Sequence, residues 1–370
     1  MLFKLEKNEI LVIYGNNPTG MAAKIAEAAG LESLIGDRRK RIGLKPNLVV
    51  SRPAQEGATT HPEIAAGLIA YLKKNGFNNI VILEGSWVGD STSNAFSACG
   101  YRALAKETGV ELIDTQTDSY ETVDCSGMKI EICQSAGNLD FLINLPVMKG
   151  HCQTLLTCAL KNSKGLISNR EKRRFHTLGL DTPIACLNTA VRNDFILVDG
   201  ICGDLDFEEG GNPVYNGRIF AARDPVLCDA WAARLMGYDT SEIPYIGLAE
   251  KLGVGSTATM RVRELNHNSD APGRQSSGST RQGVKVKQLS AFVEEKDACS
   301  ACYAGLVFAL SRLGKNERDR LGRVSIGQGF RGKKGRLGVG QCSAAFDSYC
   351  PGCPPSGAEI LAFLRKTRGG

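Results

Sequence analysis

The sequence predicts an α/β protein with a largely parallel sheet and flanking helices, plus a small C-terminal Cys-rich α/β unit. Strand-like and helix-like segments alternate along the first two thirds of the chain, which is the order that a parallel sheet requires. Five of the thirteen cysteines fall within the 55 residues from 299 to 353. With 370 residues, 42% hydrophobic and 23% charged, the chain has a globular composition and the length of about two domains.

The individual elements follow from short apolar runs and from the Gly and Pro residues that bound them. Strands are predicted at residues 9–15, 41–50, 78–86, 110–116, 140–148, 194–203 and 218–224. Helices are predicted at residues 20–30, 61–76, 91–109 and 225–237. The strand at 140–148, DFLINLPVM, is nearly all apolar, as expected for a strand buried on both faces.

Composition divides the chain into three parts. Residues 1–263 are expected to form the α/β domain. Residues 264–283, rich in Ser, Gly and Asn, are expected to form a polar linker or loop that contains a solvated His267. Residues 284–370 are expected to form a smaller Cys-rich domain.

The sequence also indicates where the protein works. Its apolar runs are too short for a membrane span, and its first residues lack the long apolar region of a signal peptide, so we expect a cytoplasmic protein. An odd number of cysteines in a large chain indicates a reducing compartment. The eight cysteines before residue 299 are expected to be small buried side chains.

The net charge of +6 comes from one segment. Residues 311–340 hold nine Lys or Arg against two acidic residues, so the rest of the chain is near neutral. Nucleic acid is an unlikely partner, because the segment has few aromatic residues and no recognition motif. A basic surface around a negatively charged cofactor, or one that docks an acidic redox protein, fits the composition as well.

The C-terminal cysteines are spaced like metal ligands. Cys299 and Cys302 form a C-x2-C pair, and Cys342, Cys350 and Cys353 follow in a Pro-rich stretch. Two thiolates three residues apart can bind one centre, and a second pair can complete it. With five candidates for four positions, Cys353 is favoured over Cys350 as the fourth ligand.

Two kinds of centre fit this spacing. A [4Fe–4S] cluster is favoured by prolines directly after cysteines, by glycines whose backbone amides can approach a cluster's sulfurs, and by the excess of Lys and Arg. Zinc is the alternative, because C-x2-C pairs are also typical of zinc knuckles.

A second group of polar residues follows the apolar strand at 140–148. Because ligands of open α/β sheets bind beyond the carboxyl ends of the strands, this stretch predicts a site for a small anionic molecule. The expected binding residues are Thr154, Thr157, Lys161, Asn162 and Asp199.

Lys149 and His151 are expected to supply charge or a proton, with His176 as a second proton-transfer candidate. Thr154, Thr157, Lys161 and Lys164 recur at helical spacing, so they are expected to share a helix face; a solvated basic helix capped by Thr154 is the alternative. Asp199 is expected to bind a metal or to orient His151 or His176.

Several segments resemble the "domain of unknown function 362" family, which is common in anaerobic bacteria and archaea. They are KPNLV (45–49), TTHPE (59–63), GYRALAKETGVELID (100–114), LINLPVMKGHCQTLLTCALKNSKGLI (142–167), LVDGICG (197–203) and ARDPVLCDAWAARLMG (222–237). Members often carry iron–sulfur ligands beside this domain, and the C-terminal unit with its GCPP sequence resembles such a version. The resemblance implies a redox protein. The chain lacks a C-x2-C-x2-C run, so any cluster is expected to be single and held by the spaced cysteines.

Three functions follow as hypotheses. The first is a redox enzyme that binds a small anionic substrate in the α/β domain and carries electrons on a C-terminal [4Fe–4S] cluster. The second is a non-catalytic electron carrier or binding module that docks an acidic redox partner. The third is a zinc-stabilised enzyme without a redox role.

Overall fold

The structure, a computed structural model, describes residues 4–265 and 288–367. The strands are β1 (Glu9–Tyr14), β2 (Ile42–Pro46), β3 (Ile80–Glu84), β4 (Glu111–Asp114), β5 (Tyr120–Cys125), β6 (Met128–Cys133), β7 (Phe141–Leu145), β8 (Lys149–His151), β9 (Leu155–Thr157), β10 (Phe195–Asp204), β11 (Pro213–Ala222), β12 (Arg261–Leu265), β13 (Val293–Glu295), β14 (Val324–Ile326), β15 (Leu337–Val339) and β16 (Ser348–Cys350). The helices are α1 (Pro18–Ala28), α2 (Leu31–Ile35), α3 (Pro62–Lys74), α4 (Thr92–Ala98), α5 (Tyr101–Thr108), α6 (Gln134–Gly137), α7 (Ala159–Asn162), α8 (Asn169–Thr177), α9 (Asp181–Leu187), α10 (Pro225–Leu235), α11 (Pro244–Lys251), α12 (Ser300–Ser311), α13 (Lys315–Leu321) and α14 (Gly357–Lys366).

The main sheet has eight strands in the order β12-β1-β11-β10-β7-β2-β3-β4. Its pairings are parallel except for those of β11, which runs antiparallel to both β1 and β10. Strands β2, β3 and β7 are buried along their whole length, as their nearly continuous apolar sequences predict. The predicted fold class, α/β with a largely parallel sheet, is therefore confirmed.

Helices cover both faces of this sheet, and the strands feed a separate core on each face. In β1, Leu11 and Ile13 point into one core, whereas Ile10 and Val12 point into the other. The first core contains apolar residues of α1 and α3, and the second contains residues of α9, α10 and α11. This alternation follows from the two-residue period of a strand.

The C-terminal unit has its own small sheet of four parallel strands in the order β13-β14-β15-β16. Apolar residues of these strands pack with those of α12 and α14 in a third core. A Cβ on Gly305 of α12 would lie 3.1 Å from Ile360 of α14, so glycine lets the two helices approach closely. The predicted small α/β unit is present.

Two expectations differ from the structure. The single helix expected at 91–109 is two helices, α4 and α5, which meet at Gly100 with a φ of +80°. Strand β12 extends to Leu265, so the main sheet continues two residues into the predicted linker. The rest of that linker, with His267, lies outside the described residues.

The scattered cysteines are mostly core residues, as expected. Seven of the eight before residue 299 are buried, and Cys152 is partly buried. None of the helices in the described part of the chain combines the length and the apolarity needed to cross a bilayer.

Candidate functional site

The C-terminal unit packs against the loops that follow the carboxyl ends of the main-sheet strands. Gln153, in the turn between β8 and β9, donates to the backbone oxygen of Ala298 at 3.1 Å and accepts a hydrogen bond from the Ser300 hydroxyl at 3.0 Å. Gly89, after β3, lies so close to Pro354 that a Cβ would sit 2.1 Å from its ring. These contacts place the start of α12 directly over the edge of the main sheet.

The stretch from 149 to 164 does not contain the single helix expected over 154–164. It forms the short antiparallel hairpin β8–β9, with Leu155 at a φ of +63°, followed by the four-residue helix α7. Thr154 and Thr157 therefore do not share a helix face with Lys161. The two carboxylate oxygens of Asp229 accept the Ala159 and Leu160 backbone amides at 2.7 and 3.2 Å, so neither of these two amides is free to bind an anion.

Lys149 is buried and its ammonium connects three loops by hydrogen bonds. Its ammonium donates to Asn47 Oδ1 at 3.2 Å, to the backbone oxygen of Ala58 at 2.5 Å and to the backbone oxygen of Glu208 at 2.8 Å. An ammonium has three donors, so these bonds use all of them. Burial lowers the pKa of Lys149 to about 7. The residue holds the site together, and the structure leaves it no donor for a substrate.

His151 is also held on both of its ring nitrogens. Nδ1 accepts the Gln153 and Thr154 backbone amides at 3.1 and 3.0 Å, so the proton of the neutral ring lies on Nε2. Nε2 lies 2.9 Å from Glu208 Oε2 and 3.1 Å from the Ser300 hydroxyl. Burial, with the charge of Lys161, lowers the pKa of His151 to about 4. The ring therefore positions Glu208 and Ser300.

Asp199 binds a different histidine from the two that the sequence suggested. Its Oδ2 accepts the His61 backbone amide at 2.8 Å and lies 2.7 Å from His61 Nδ1. Burial opposes a charge on His61, but the Asp199 carboxylate outweighs it and raises the pKa of the ring. The expectation that Asp199 orients His151 or His176 is therefore wrong, and its pairing with His61 leaves it outside the binding residues described next.

A cleft with an empty volume of about 600 Å³ lies between the main sheet and the start of α12. We call it the cleft. Its charged and polar lining residues are Asn47, Glu84, Thr157, Lys161, Asn162, Lys164, Lys172, Arg173, His176, Glu208, Cys299 and Ser300. Four of these are Lys or Arg and two are Glu, so the lining carries more positive than negative charge. An anion is the ligand that such a surface favours.

The carboxylates of the cleft are both paired. Glu208 contacts Lys161, and Glu84 contacts Lys45, a fully buried lysine at the end of β2. Burial alone would raise the pKa of Glu208, but Lys161 and His151 outweigh it and hold that pKa well below its ordinary value. With both acids neutralised, the remaining cations are left to act on a ligand.

Lys164 and Lys172 are those remaining lysines. Lys172 donates to the backbone oxygens of Gly85 and Ser86 at 3.0 and 2.8 Å, which leaves its ammonium one free donor. For Lys164 the described residues provide no hydrogen-bond partner. Burial lowers the pKa of Lys164 to about 7, with Lys161 adding to the shift, and burial lowers that of Lys172 to about 8. A bound anion would stabilise both charges.

Two glycines allow these groups to converge. A Cβ on Gly165 would lie 2.5 Å from Lys45 Nζ and 2.6 Å from Glu84 Oε2. A Cβ on Gly85 would lie 2.7 Å from the Gly165 oxygen and 3.1 Å from Lys172 Nζ. The buried charges thus pack against bare backbone, and a larger residue at either position would push them apart.

Two buried polar atoms of the cleft have no partner among the described residues. They are the hydroxyl of Thr157, which is only 1% exposed, and Nδ1 of His176. Nε2 of His176 lies 3.4 Å from the Ser300 backbone amide and 3.3 Å from its hydroxyl. Because burying an unpaired polar group is costly, these atoms indicate a place where a ligand can bind.

Asn162 belongs to a chain of three amides under the cleft. It donates to Asn144 Oδ1 at 2.7 Å and accepts from Asn47 Nδ2 at 3.0 Å. This chain links the ends of β2 and β7, and it holds Asn162 at the wall of the cleft. Among the predicted binding residues, the structure thus brings Thr157, Lys161 and Asn162 together on the cleft. Thr154 instead donates to the Leu156 oxygen at 3.2 Å, within the hairpin.

Four of the five C-terminal cysteines lie beyond the carboxyl ends of the small-sheet strands. Cys299 follows β13 and precedes α12, and Cys302 lies in the first turn of that helix. In the β15–β16 register Val339 pairs with Cys350, so Cys342 and Cys353 each follow three residues after that pair. We call Cys299, Cys302, Cys342 and Cys353 the cysteine group. Parallel strands thus deliver its members to one edge.

Electrostatic and steric contacts show that these thiols are neighbours. Burial raises the pKa of Cys299, and the charges of Cys342 and Cys353 raise it further. Burial also raises the pKa of Cys302, followed by the charges of the other three. Cys302 lies beside the loop that carries Cys342, because a Cβ on Gly340 would lie 3.7 Å from its sulfur. The ionised thiols would repel one another at this separation. A metal cation that replaced their protons would offset that repulsion.

Arg331 is the basic residue that contacts this group. Its guanidinium donates to Cys342, and this bond, with the thiol's charge, raises the pKa of Arg331. Other arginines of the basic segment bind backbone oxygens within the C-terminal unit. Arg318 donates to the backbone oxygen of Leu313 at 2.5 Å, and Arg323 donates to that of Val293 at 2.9 Å. The charge excess of this segment is therefore only partly directed at the cysteines.

Cys350 differs from the other four C-terminal cysteines. It lies within β16, is 3% exposed and packs in the third hydrophobic core. Burial raises its pKa. Its surroundings are those of a small apolar side chain, whereas Cys353 is exposed and follows the strand.

A fully buried trio lies elsewhere in the chain. Within the described ranges, Cys158, Cys228 and Asp229 form the group whose ligand atoms all lie within 4.8 Å of one another. Asp229 already accepts two amides of α7, and burial raises its pKa to about 7. Capping α7 accounts for the carboxylate.

Sequence reasoning missed five charged residues of this region. They are Lys45, Glu84, Lys172, Arg173 and Glu208. Lys45 and Glu84 each stand at the end of a predicted strand, and that position at the carboxyl edge of a parallel sheet is a signal that could have found them. Glu208 and Lys172 lie in a loop and a helix with no such signal.

Comparisons with known proteins give the following findings. The chain matches the model of the family described as "Domain of unknown function (DUF362)" over residues 42–234. A thylakoid-associated protein of Synechocystis sp. is 26% identical over 242 residues, which cover 61% of this chain and 72% of that protein.

Two solved structures are also similar. The lactate racemase apoprotein from Thermoanaerobacterium thermosaccharolyticum matches with a TM-score of 0.41 and 16% identity, over 65% of this chain and 60% of that one. A Thermotoga maritima protein matches with a TM-score of 0.34 and 13% identity, over 68% of this chain and 62% of that one. This chain thus spans about 60% of the length of each.

Proposed function

We propose that this chain, which belongs to the family described as Domain of unknown function (DUF362), is an iron–sulfur redox enzyme that acts on a small anionic substrate. The substrate binds in the cleft, and the cysteine group holds one [4Fe–4S] cluster. The carrying observation is the position of Cys299. It lines the cleft together with Lys164 and Arg173, and its thiol interacts with those of Cys342 and Cys353.

The chemistry of the cysteine group supports the cluster. Four thiols share one edge of the small sheet, and the positive N-terminal end of α12 faces an anionic centre there. Tetrahedral zinc, with Zn–S bonds of about 2.3 Å, would need sulfurs about 3.8 Å apart. No three of the five C-terminal thiols lie within 4.8 Å of one another in the described structure, which favours the larger centre.

The residues of the chain have distinct roles in this proposal. Lys164, Lys172 and the Thr157 hydroxyl bind the anion, and Lys149 and His151 hold the loops and Glu208 in place. His176 offers Nδ1 for proton transfer to or from the substrate. A cluster of this kind transfers one electron at a time.

Metal content tests the cofactor. Protein purified without oxygen is expected to contain iron and sulfide, and to absorb broadly in the visible range with bleaching on reduction. Cys353→Ala is expected to lose this absorption, whereas Cys350→Ala, the matched control from the core, is expected to keep it. A colourless protein that holds one zinc would contradict the redox proposal and favour the zinc enzyme.

Ligand binding separates an enzyme from a non-catalytic carrier. Lys164→Met combined with Thr157→Val is expected to abolish turnover of the substrate while the iron content and the visible spectrum stay unchanged. If the double variant reduced its partner and turned over substrate as the unmodified protein does, the cleft would have no part in catalysis.

A further inference from the structure

The cysteine group has a second open side, away from the cleft. Cys342 and Cys353 line a surface depression with an empty volume of about 830 Å³. We call it the outer depression. Its other lining residues are Arg331, Gly332, Gln341, Ala344 and Ala345. Cys299 faces the cleft instead, so the thiols connect an inner cavity with the molecular surface.

Positive charge is fixed beside the outer depression. Arg331, Lys333 and Lys334 are all exposed and stand in the loop after β14. The Phe330 and Phe346 rings pack edge to face at 5.6 Å, which attaches this loop to the one that follows Cys342. The exposed acid in the same region is Asp347, so the local charge is positive.

Small side chains leave the centre accessible. Ala344 and Ala345 are exposed next to Cys342, and Gly332 lies beside Arg331. A Cβ on Gly335 would lie 2.3 Å from the Phe346 ring, so glycine is needed where the two loops meet. A partner surface can therefore approach Cys342 and Cys353 over these small residues, and Arg331 and Gln341 are the larger side chains that it meets there.

We propose that the outer depression, with Lys333 and Lys334, is the docking surface of an acidic one-electron carrier protein. This inference rests on the proposed function and names its electron donor by class. The donor, an acidic iron–sulfur or flavin protein, is oxidised by one electron, and the centre held by the cysteine group is reduced by that electron. No atom is transferred between the two proteins.

The charge complementarity predicts a salt-dependent encounter. Exposed charges of opposite sign steer association and raise its rate by about 10- to 1,000-fold at low ionic strength. The screening length falls from about 20 Å to about 4 Å between 0.02 and 0.5 M salt, so steering is lost there. Hydrophobic docking would not respond in this way.

The test replaces two exposed lysines that stand beside the outer depression but do not line it. Lys333→Glu combined with Lys334→Glu is compared with Lys74→Glu combined with Lys106→Glu, which makes the same charge change on exposed positions of α3 and α5. The probe is a reduced plant-type [2Fe–2S] ferredoxin, and its oxidation is followed by stopped flow at both salt concentrations. Binding of the oxidised ferredoxin is measured by calorimetry at low salt.

The docking variant is expected to react at least about tenfold more slowly than the control at low salt, and to bind ferredoxin correspondingly more weakly. At high salt the two rates should converge. Reduction by dithionite and iron content should be equal in both. Equal rates and affinities in iron-loaded variants at low salt would overturn this inference alone, whereas protein without iron would overturn it together with the proposed function.

Discussion

Thr157→Val is expected to stabilise the ligand-free protein and to weaken anion binding. The Thr157 hydroxyl is 1% exposed, lines the cleft and has no partner among the described residues. An unpaired buried polar group costs about 1–3 kcal/mol, so a valine of similar shape should raise the free energy of unfolding by about 1 kcal/mol. In a chain of this size that corresponds to a rise in Tm of about 2 °C.

The same change removes one hydrogen bond to the ligand. A hydrogen bond to a charged group is worth about 1.5–3 kcal/mol, so the Kd for the anion should rise about 10- to 150-fold. Calorimetric titration with phosphate and with malonate measures the affinity, and urea unfolding measures the stability. The two effects have opposite signs, which a general loss of folding cannot produce.

Thr60→Val is the matched control. Thr60 is fully buried. Its hydroxyl donates to the backbone oxygen of Leu145 at 2.7 Å and accepts a hydrogen bond from the backbone amide of Asn47 at 2.8 Å. Its replacement should destabilise the protein by about 1–3 kcal/mol, because both partners lose their bond. If Thr157→Val destabilised the protein as strongly as Thr60→Val does, the Thr157 hydroxyl would be satisfied without a ligand and the reasoning would be refuted.

Three further changes test the lysines and the cap of α7. Lys164→Met should raise the Kd for phosphate by about tenfold or more at pH 6.5, since bonds to charged groups are worth about 1.5–3 kcal/mol, while Lys74→Met should leave it unchanged by calorimetry. The pKa of Lys149 is about 7 in the native state and about 10.4 in the unfolded chain. Between these values the unfolded chain binds one more proton, so the free energy of unfolding should rise from pH 7 to pH 10. Urea unfolding of Lys149→Met should show a smaller rise with pH and a free energy of unfolding lower by about 3 kcal/mol. A Lys149→Met protein with the unmodified slope would contradict this assignment. Asp229→Ala leaves two buried amides of α7 without acceptors and should lower the free energy of unfolding by about 2–4 kcal/mol; an unchanged urea midpoint would show that α7 needs no cap.

The main sheet was predictable because its signal is local. Strands such as β2, β3 and β7 are short apolar runs with Gly, Pro or Asn nearby, and helices such as α3 carry an apolar face at helical spacing. These patterns do not depend on distant contacts. The expected helix at 154–164 failed because its pattern was ambiguous. Asp229, some seventy residues away, binds the amides of α7, and only the fold brings that carboxylate near.

The charged cleft was predictable only in part, for a related reason. Lys161 and Asn162 lie in the stretch that the sequence singled out, but the partners of Lys161 and of its neighbours come from other loops. Glu208 contacts Lys161 although 47 residues separate them, and Glu84 reaches Lys45 over 39. Pairings at such separations follow from the strand order, which no local pattern encodes. The binding roles and the centre at the cysteine group remain predictions.

The start of α12 forms one wall of the cleft, and the ends of the main-sheet strands form the other. The interior polarity of the cavity is therefore a joint property of the main-sheet part of the chain and of the C-terminal unit. Expressed without its last eighty residues, the chain would admit bulk solvent to Lys164, and that amine would regain the basicity of an ordinary surface lysine. Covering by the C-terminal unit thus sets how strongly the rest of the chain can hold an anion near neutral pH.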